Sequence, residues 1–252
     1  MRVTGESDRW IRRFSPAPGA GVRLVCLPHA GGSASFFFPA AQAMSPQVEV
    51  LVVQYPGRQD RLHDPLVDNI ADLADAVAGA LLPWLDRRFA LFGHSMGASL
   101  AFEVALRLER AGTPPAHLFA SGRRAPSVER DEHVHLEDDD AIITELTSLS
   151  GTDTRILDDE DLLRMVLPAI RNDYRAAESY RPADASPVAC PITVLTGDDD
   201  PRTSLDDARA WRAYTTGAFE LLVYPGGHFY LVENSAQVLD ALSSRLRDGV
   251  RS

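Results

Sequence analysis

Gly93-His94-Ser95-Met96-Gly97 is the stretch on which the reading of this chain turns. The apolar run Phe89-Ala90-Leu91-Phe92 leads into it, and apolar residues at Met96, Leu100, Val104 and Leu108 follow it. The first has the character of a buried strand, the second the spacing of a helix. A serine between glycines at such a junction marks a turn too tight for side chains at the flanking positions. A turn of that kind holds the serine hydroxyl clear of the backbone, where it is able to attack an acyl carbon. The helix that follows brings free amide N–H groups and a positive dipole end to the same place.

Working outward, Leu24–Leu27, Val48–Val53, Leu118–Ser121, Pro191–Leu195 and Phe219–Tyr224 read as further strands. Near-continuous apolar runs suit a sheet covered on both faces. Asp68–Leu85 has helical spacing, with Pro83 near its end. Met96–Ala111 is the helix after the serine, stopped by Gly112, and Ala236–Leu246 is a terminal helix. Strands alternating with helices predict a mostly parallel central sheet flanked by helices, an α/β fold. Residues 129–186 break the rhythm with helical patterns only. They are expected to form a helical lid inserted into a core made of residues 1–128 and 187–252. The acidic runs Glu137–Asp140 and Asp158–Asp161 are expected to cap helices there. The apolar lid residues Ile142, Leu146, Leu163, Val166 and Leu167 are read as packing rather than pocket lining.

The 252 residues suit one large domain, 45% hydrophobic and 24% charged. No apolar run is long enough for a membrane span, and the first residues lack the apolar segment of a secretory signal, so a cytoplasmic location is expected. Cys26 and Cys190 sit in apolar runs and are expected as buried free thiols. A net charge of −11 argues against binding to nucleic acid or to anionic membranes. The arginine pairs Arg58/Arg61, Arg87/Arg88 and Arg123/Arg124 read as solvated surface.

A nucleophilic serine needs a base and an acid. In parallel sheets functional groups gather at strand carboxyl ends. The run Phe219–Tyr224 leads into Pro225-Gly226-Gly227-His228, which makes His228 the expected base among seven histidines. His94 adjoins the serine, but neighbours on such a turn point apart. His133 and His135 lack a third ligand for a metal. The run Pro191–Leu195 leads into Thr196-Gly197-Asp198-Asp199-Asp200-Pro201. Three adjacent aspartates leave the acid open. Asp200, three residues past the glycine and just before a proline, is the choice, and Asp198 is the alternative. The order serine, acid, histidine is that of the α/β-hydrolase fold. N–H donors for an oxyanion are expected from Met96, just after the serine, and from Ala30 in the loop Pro28-His29-Ala30-Gly31-Gly32.

Taken together, these segments resemble a family. The chain resembles the type II thioesterases of polyketide and nonribosomal peptide biosynthesis. The likeness rests on Trp10–Phe14, Pro28–Gly32, Gln54-Tyr55-Pro56-Gly57-Arg58, the serine turn, Arg171-Asn172-Asp173-Tyr174 with Glu178-Ser179-Tyr180, and the acid and histidine loops. The resemblance implies Ser95, Asp200 and His228 as triad, with Met96 and Ala30 as oxyanion donors. It implies an acyl thioester substrate on the phosphopantetheine arm of an acyl or peptidyl carrier protein, and editing of a biosynthetic assembly line by hydrolysis. No cofactor and no metal is expected beyond the pantetheine that the substrate carries, and a monomer is the default. Arg123 and Arg124 are candidates for carrier contact. A carboxylesterase or an acyltransferase using the same triad is the alternative.

Overall fold

The computed structural model describes residues 5–149, 160–183 and 186–248. Its strands are β1 (Ile11–Arg12), β2 (Val22–Leu27), β3 (Glu49–Val53), β4 (Arg88–His94), β5 (Leu118–Ser121), β6 (Ile192–Gly197) and β7 (Phe219–Tyr224). They form one sheet in the order β1-β3-β2-β4-β5-β6-β7. Only the short edge strand β1 runs antiparallel, pairing Ile11 with Val53. The expected mostly parallel α/β sheet is present, with β1 as an addition too short to leave a periodic signal.

Strict alternation divides the core. Val25, Leu27, Leu51, Val53 and Leu91 belong to one apolar layer, with α3 (Ile70–Leu81) and α4 (Met96–Arg110). Leu24, Cys26, Val50, Val52, Ala90 and Phe92 belong to the other, with α2 (Phe38–Met44) and α9 (Ser235–Asp248). Parallel strands buried on both faces need such runs. Helix α3 is shorter than its periodicity predicts. It begins on Asn69, whose side chain accepts the Asp72 N–H, and gives way to a 3₁₀ turn at Leu82–Trp84 that contains Pro83. Helix α4 ends as expected at Gly112, where φ is +77° and the Thr113 N–H reaches back to the Leu108 carbonyl at 2.8 Å.

Between β5 and β6 the described residues hold two long helices, α5 (Asp139–Ser148) and α6 (Glu160–Ser179), and no strand. Asp138 caps α5 by accepting the Ala141 N–H at 2.9 Å. Asp158 and Asp159, read above as caps, lie outside the described residues. Ile142, Leu146, Leu163, Leu167 and Ile170 form a third apolar cluster of their own. Cys26 and Cys190 are buried free thiols.

The strand order also locates a crevice. From β2 the chain builds outward to β3, then returns to the opposite side of β2 for β4, with Leu27 paired to Gly93. Such a switch leaves a cleft at the carboxyl ends of the two strands. The loop after β2 carries Ala30, and the turn after β4 carries Ser95.

Candidate active site

Ser95 has φ 55° and ψ −121°, a conformation that L residues seldom adopt and that costs about 1–3 kcal/mol. The surroundings enforce it. A Cβ on Gly93 would lie 2.0 Å from the Gly97 carbonyl oxygen, and one on Gly97 would lie 2.1 Å from that of Leu27. Both obstacles are backbone and cannot step aside. The Ser95 N–H is tied to the Ser121 carbonyl at 2.8 Å, and the Ser95 carbonyl accepts the first bond of α4 from Ala98 at 2.9 Å.

His228 follows β7 and is buried. Its Nδ1 lies 3.0 Å from both carboxylate oxygens of Asp200, which is also buried. Asp200 Oδ1 accepts a second bond, from the Arg202 N–H at 2.8 Å. The neighbouring carboxylates are used differently. Asp198 is exposed and accepts the Gly226 N–H at 2.9 Å, while Asp199 is exposed. The geometry therefore gives Asp200 to the histidine and makes Asp198 a loop brace.

Ser95, Met96, Ala30 and His228 all line one cavity of about 490 Å³. That size lies within the range of small-molecule sites, roughly 300–1,000 Å³. Helices α5 and α6 complete its wall through Leu146, Val166, Ile170 and Tyr174, joined by Leu149. Leu146 and Val166, read above as packing, therefore also face the cavity, since a helix laid over a cleft presents one stripe to both.

Two further histidines crowd the site. The His94 ring lies 5.1 Å from that of His228, and the His29 ring 5.9 Å from that of His94. Burial, with the nearby His228, holds the pKa of His94 well below the usual imidazole value and pulls His29 down to about 3. Both are neutral at pH 7. As the turn geometry predicts, His94 points away from Ser95: its Nδ1 meets Ser121 Oγ at 2.9 Å, and that oxygen meets the Tyr230 hydroxyl at 2.6 Å. His133 pairs with Asp131, and His135 Nδ1 with Glu178 at 2.5 Å.

The arginine pairs depart most from the sequence reading. Arg58, Arg61 and Arg124 are buried. Arg58 forms a two-pronged pair with Asp173, at 2.6 and 2.9 Å. Arg124 pairs with Glu132 at 2.7 Å, and Arg123 donates to Ser99 Oγ and to the Ala177 carbonyl. Arg123 and Arg124 line the cavity. The partners of Arg58 and Arg123 lie in distant segments, which charge patterning along the chain does not reveal. Nor did it single out Tyr55, Arg58 or Asp173 as parts of the site, although each falls in a stretch quoted for the family resemblance.

A family model described as a thioesterase domain matches residues 22–246. Thioesterase PikA5 of Streptomyces venezuelae is 51% identical over 243 residues, covering 96% of this chain and 86% of that protein. A probable cadicidin biosynthesis thioesterase of Streptomyces griseus is 51% identical over 238 residues, covering 94% of this chain, which spans 65% of that relative's length. The solved structure of the type II thioesterase BorB, from the borrelidin biosynthetic cluster, superposes with a TM-score of 0.90 at 48% identity, over 95% of this chain and 98% of that one. On its sequence, its sheet and these matches, the chain belongs to the thioesterase family, among the type II thioesterases of α/β-hydrolase fold.

Proposed function

We propose that this thioesterase releases acyl groups from the phosphopantetheine arm of acyl or peptidyl carrier proteins, with Ser95 as nucleophile, His228 as base and Asp200 as the acid that orients it. The observation that carries the reading is a strained serine sharing one cavity with a histidine whose Nδ1 is held by a buried carboxylate. With Nδ1 protonated toward Asp200, Nε2 is the free base. It takes the Ser95 proton as Oγ attacks the thioester carbonyl. The Ala30 and Met96 N–H groups receive the oxyanion. Collapse expels the pantetheine sulfur, protonated by His228, and leaves an acyl-serine. Water, deprotonated by the same imidazole, then releases the carboxylic acid and restores the serine. A thiolate leaves readily, so neither metal nor redox chemistry is called upon. The helices α5 and α6 act as the lid of this cavity, and their apolar stripe receives the acyl chain.

Restoring free thiols on stalled or misloaded carriers is the biological role this chemistry serves. Two of the relatives named above are a probable thioesterase of cadicidin biosynthesis and a type II thioesterase of the borrelidin biosynthetic cluster, which supports it. The test is incubation with a panel of acyl-loaded carrier proteins, with release followed by intact mass, beside matched acyl-pantetheine thioesters and oxygen esters. Carrier unloading with preference for the thioester is expected, abolished in Ser95→Ala. Preference for oxygen esters with no carrier unloading refutes the carrier role.

A further inference from the structure

Two stretches of the sequence have so far no part in the chemistry: Gln54–Arg58, after β3, and Arg171–Tyr174, in α6. The structure brings them together on the loop that bears Ala30. Four points of that loop are held. The Tyr55 hydroxyl donates to the Pro28 carbonyl at 3.0 Å, and Gln54 Oε1 accepts the Ala34 N–H at 2.8 Å. Arg58 donates to the Gly32 carbonyl at 3.0 Å, and Asp173 Oδ2 accepts the Gly31 N–H at 2.8 Å. Arg58 and Asp173 are themselves joined by the buried two-pronged pair described above. Of these anchors, Asp173 alone comes from α6.

The turn inside the loop makes that contact decisive. The Gly32 N–H closes on the His29 carbonyl at 2.9 Å, and Gly31, in the third position, has φ +74°. Positive φ there is the mark of a type II turn. Types I and II differ by a flip of the central peptide, here the one joining Ala30 to Gly31. Its N–H is the group that Asp173 accepts. The flipped form would set the Ala30 carbonyl against a buried carboxylate and leave Asp173 short of a donor, so the carboxylate selects one form of the turn. Ile170, one turn before Asp173, closes off the same loop: a Cβ on Gly31 would lie 2.9 Å from its Cγ1.

We propose that Asp173, paired with Arg58, is a positioning residue: by holding the Gly31 N–H it fixes the His29–Gly32 turn in place, and with it the adjoining Ala30 N–H that meets the oxyanion. The inference rests on the oxyanion role given to Ala30 under the proposed function. It also makes α6 a working part of the site: the helix that walls the acyl cavity fixes the donor that stabilises the intermediate.

The test compares Asp173→Ala, Asp173→Asn and Arg58→Lys with the wild type and with Ser95→Ala. Melting temperature, kcat and KM are measured on an acyl-pantetheine thioester, together with affinity for the matching trifluoromethyl ketone, whose adduct with the serine carries an oxyanion. Loss of one oxyanion donor lowers kcat by about 100–1,000-fold, and Asp173→Ala should approach the lower figure with little change in KM. Affinity for the ketone should fall in proportion to kcat/KM. Asp173→Asn should lose less, since its amide oxygen still accepts the Gly31 N–H, and Arg58→Lys should lie between. Folded variants whose kcat and ketone affinity stay within about 3-fold of wild type overturn the proposal, as does a rise in KM at constant kcat. Failure of all three to fold assigns the pair to stability alone and overturns it equally. Residual turnover in Ser95→Ala at wild-type level refutes instead the proposed function, whatever the Asp173 variants do.

Discussion

Replacing Asp200 by asparagine is the sharpest perturbation of the proposed mechanism, because shape is kept and only the hydrogen-bond logic changes. Both carboxylate oxygens lie 3.0 Å from His228 Nδ1. The position is buried and Oδ1 is further committed to the Arg202 N–H, so the new amide has little freedom to rotate. Its oxygen is expected to keep the Arg202 N–H, which leaves its NH2 facing Nδ1. The imidazole then turns its lone pair to Nδ1 and carries its proton on Nε2, the nitrogen that should accept the serine proton. A base in the wrong tautomer costs about 10³–10⁴-fold in kcat. That is roughly 4–5.5 kcal/mol of transition-state stabilisation. Asp198→Asn serves as its partner experiment: the amide oxygen still accepts the Gly226 N–H, and turnover should stay within about 3-fold of wild type. Thiol release from an acyl-pantetheine thioester, followed by colour, measures both. Equal losses in the two variants, or a deeper loss in Asp198→Asn, would refute the assignment of the acid.

Other outcomes are expected from the same geometry. Gly97→Ala drives a methyl group into the Leu27 and Pro28 carbonyls, and should cost at least about 3 kcal/mol. For a chain of this size that is a fall of about 6–12 °C in melting temperature, and a native melting curve would contradict it. Val166→Phe fills part of the cavity wall and should depress kcat/KM for a long acyl chain about 10-fold more than for acetyl; equal effects would remove α6 from the acyl pocket. The three buried or half-buried histidines His29, His94 and His117 are held below the usual value of 6.5, chiefly by burial, with His117 down to about 4. The unfolded chain therefore binds protons that the native chain refuses. Stability is complete above about pH 6.5 and falls as pH drops toward 4, by about 1.4 kcal/mol per pH unit for each such proton. Denaturant melts across this range should show that slope, and His117→Gln should flatten it by one proton; a flat profile in the wild type would refute the neutral state of these rings.

How far the chain was readable from its residues follows from the range of each interaction. Strands β2 to β7, helix α4 with its Gly112 stop, and the serine turn are local patterns of burial and steric need, so their signals lie within a few residues. Gly93 is required by backbone atoms within the turn itself, whereas Gly97 is required by the Leu27 and Pro28 carbonyls at the end of β2. Strand β1 has two residues and no period to detect. The choice of Asp200 over Asp198 could be made on loop spacing, but only three dimensions show the Gly226 N–H that occupies the other carboxylate. The buried Arg58 was misread for the same reason. Arg58 finds Asp173 across 115 positions, so nothing near it in sequence announces that its charge is neutralised.

A Cβ on Gly197 would lie 2.2 Å from the Gly226 carbonyl, and the Asp199 N–H bonds that same oxygen at 3.1 Å. The ends of β6 and β7 are thus joined side by side, and Asp200 and His228 stand on the loops that leave this joint. Ser95 stands on β4, with β5 intervening. Under the proposed mechanism, the pair that orients the imidazole is therefore built on one joint, and the serine it serves is built on another.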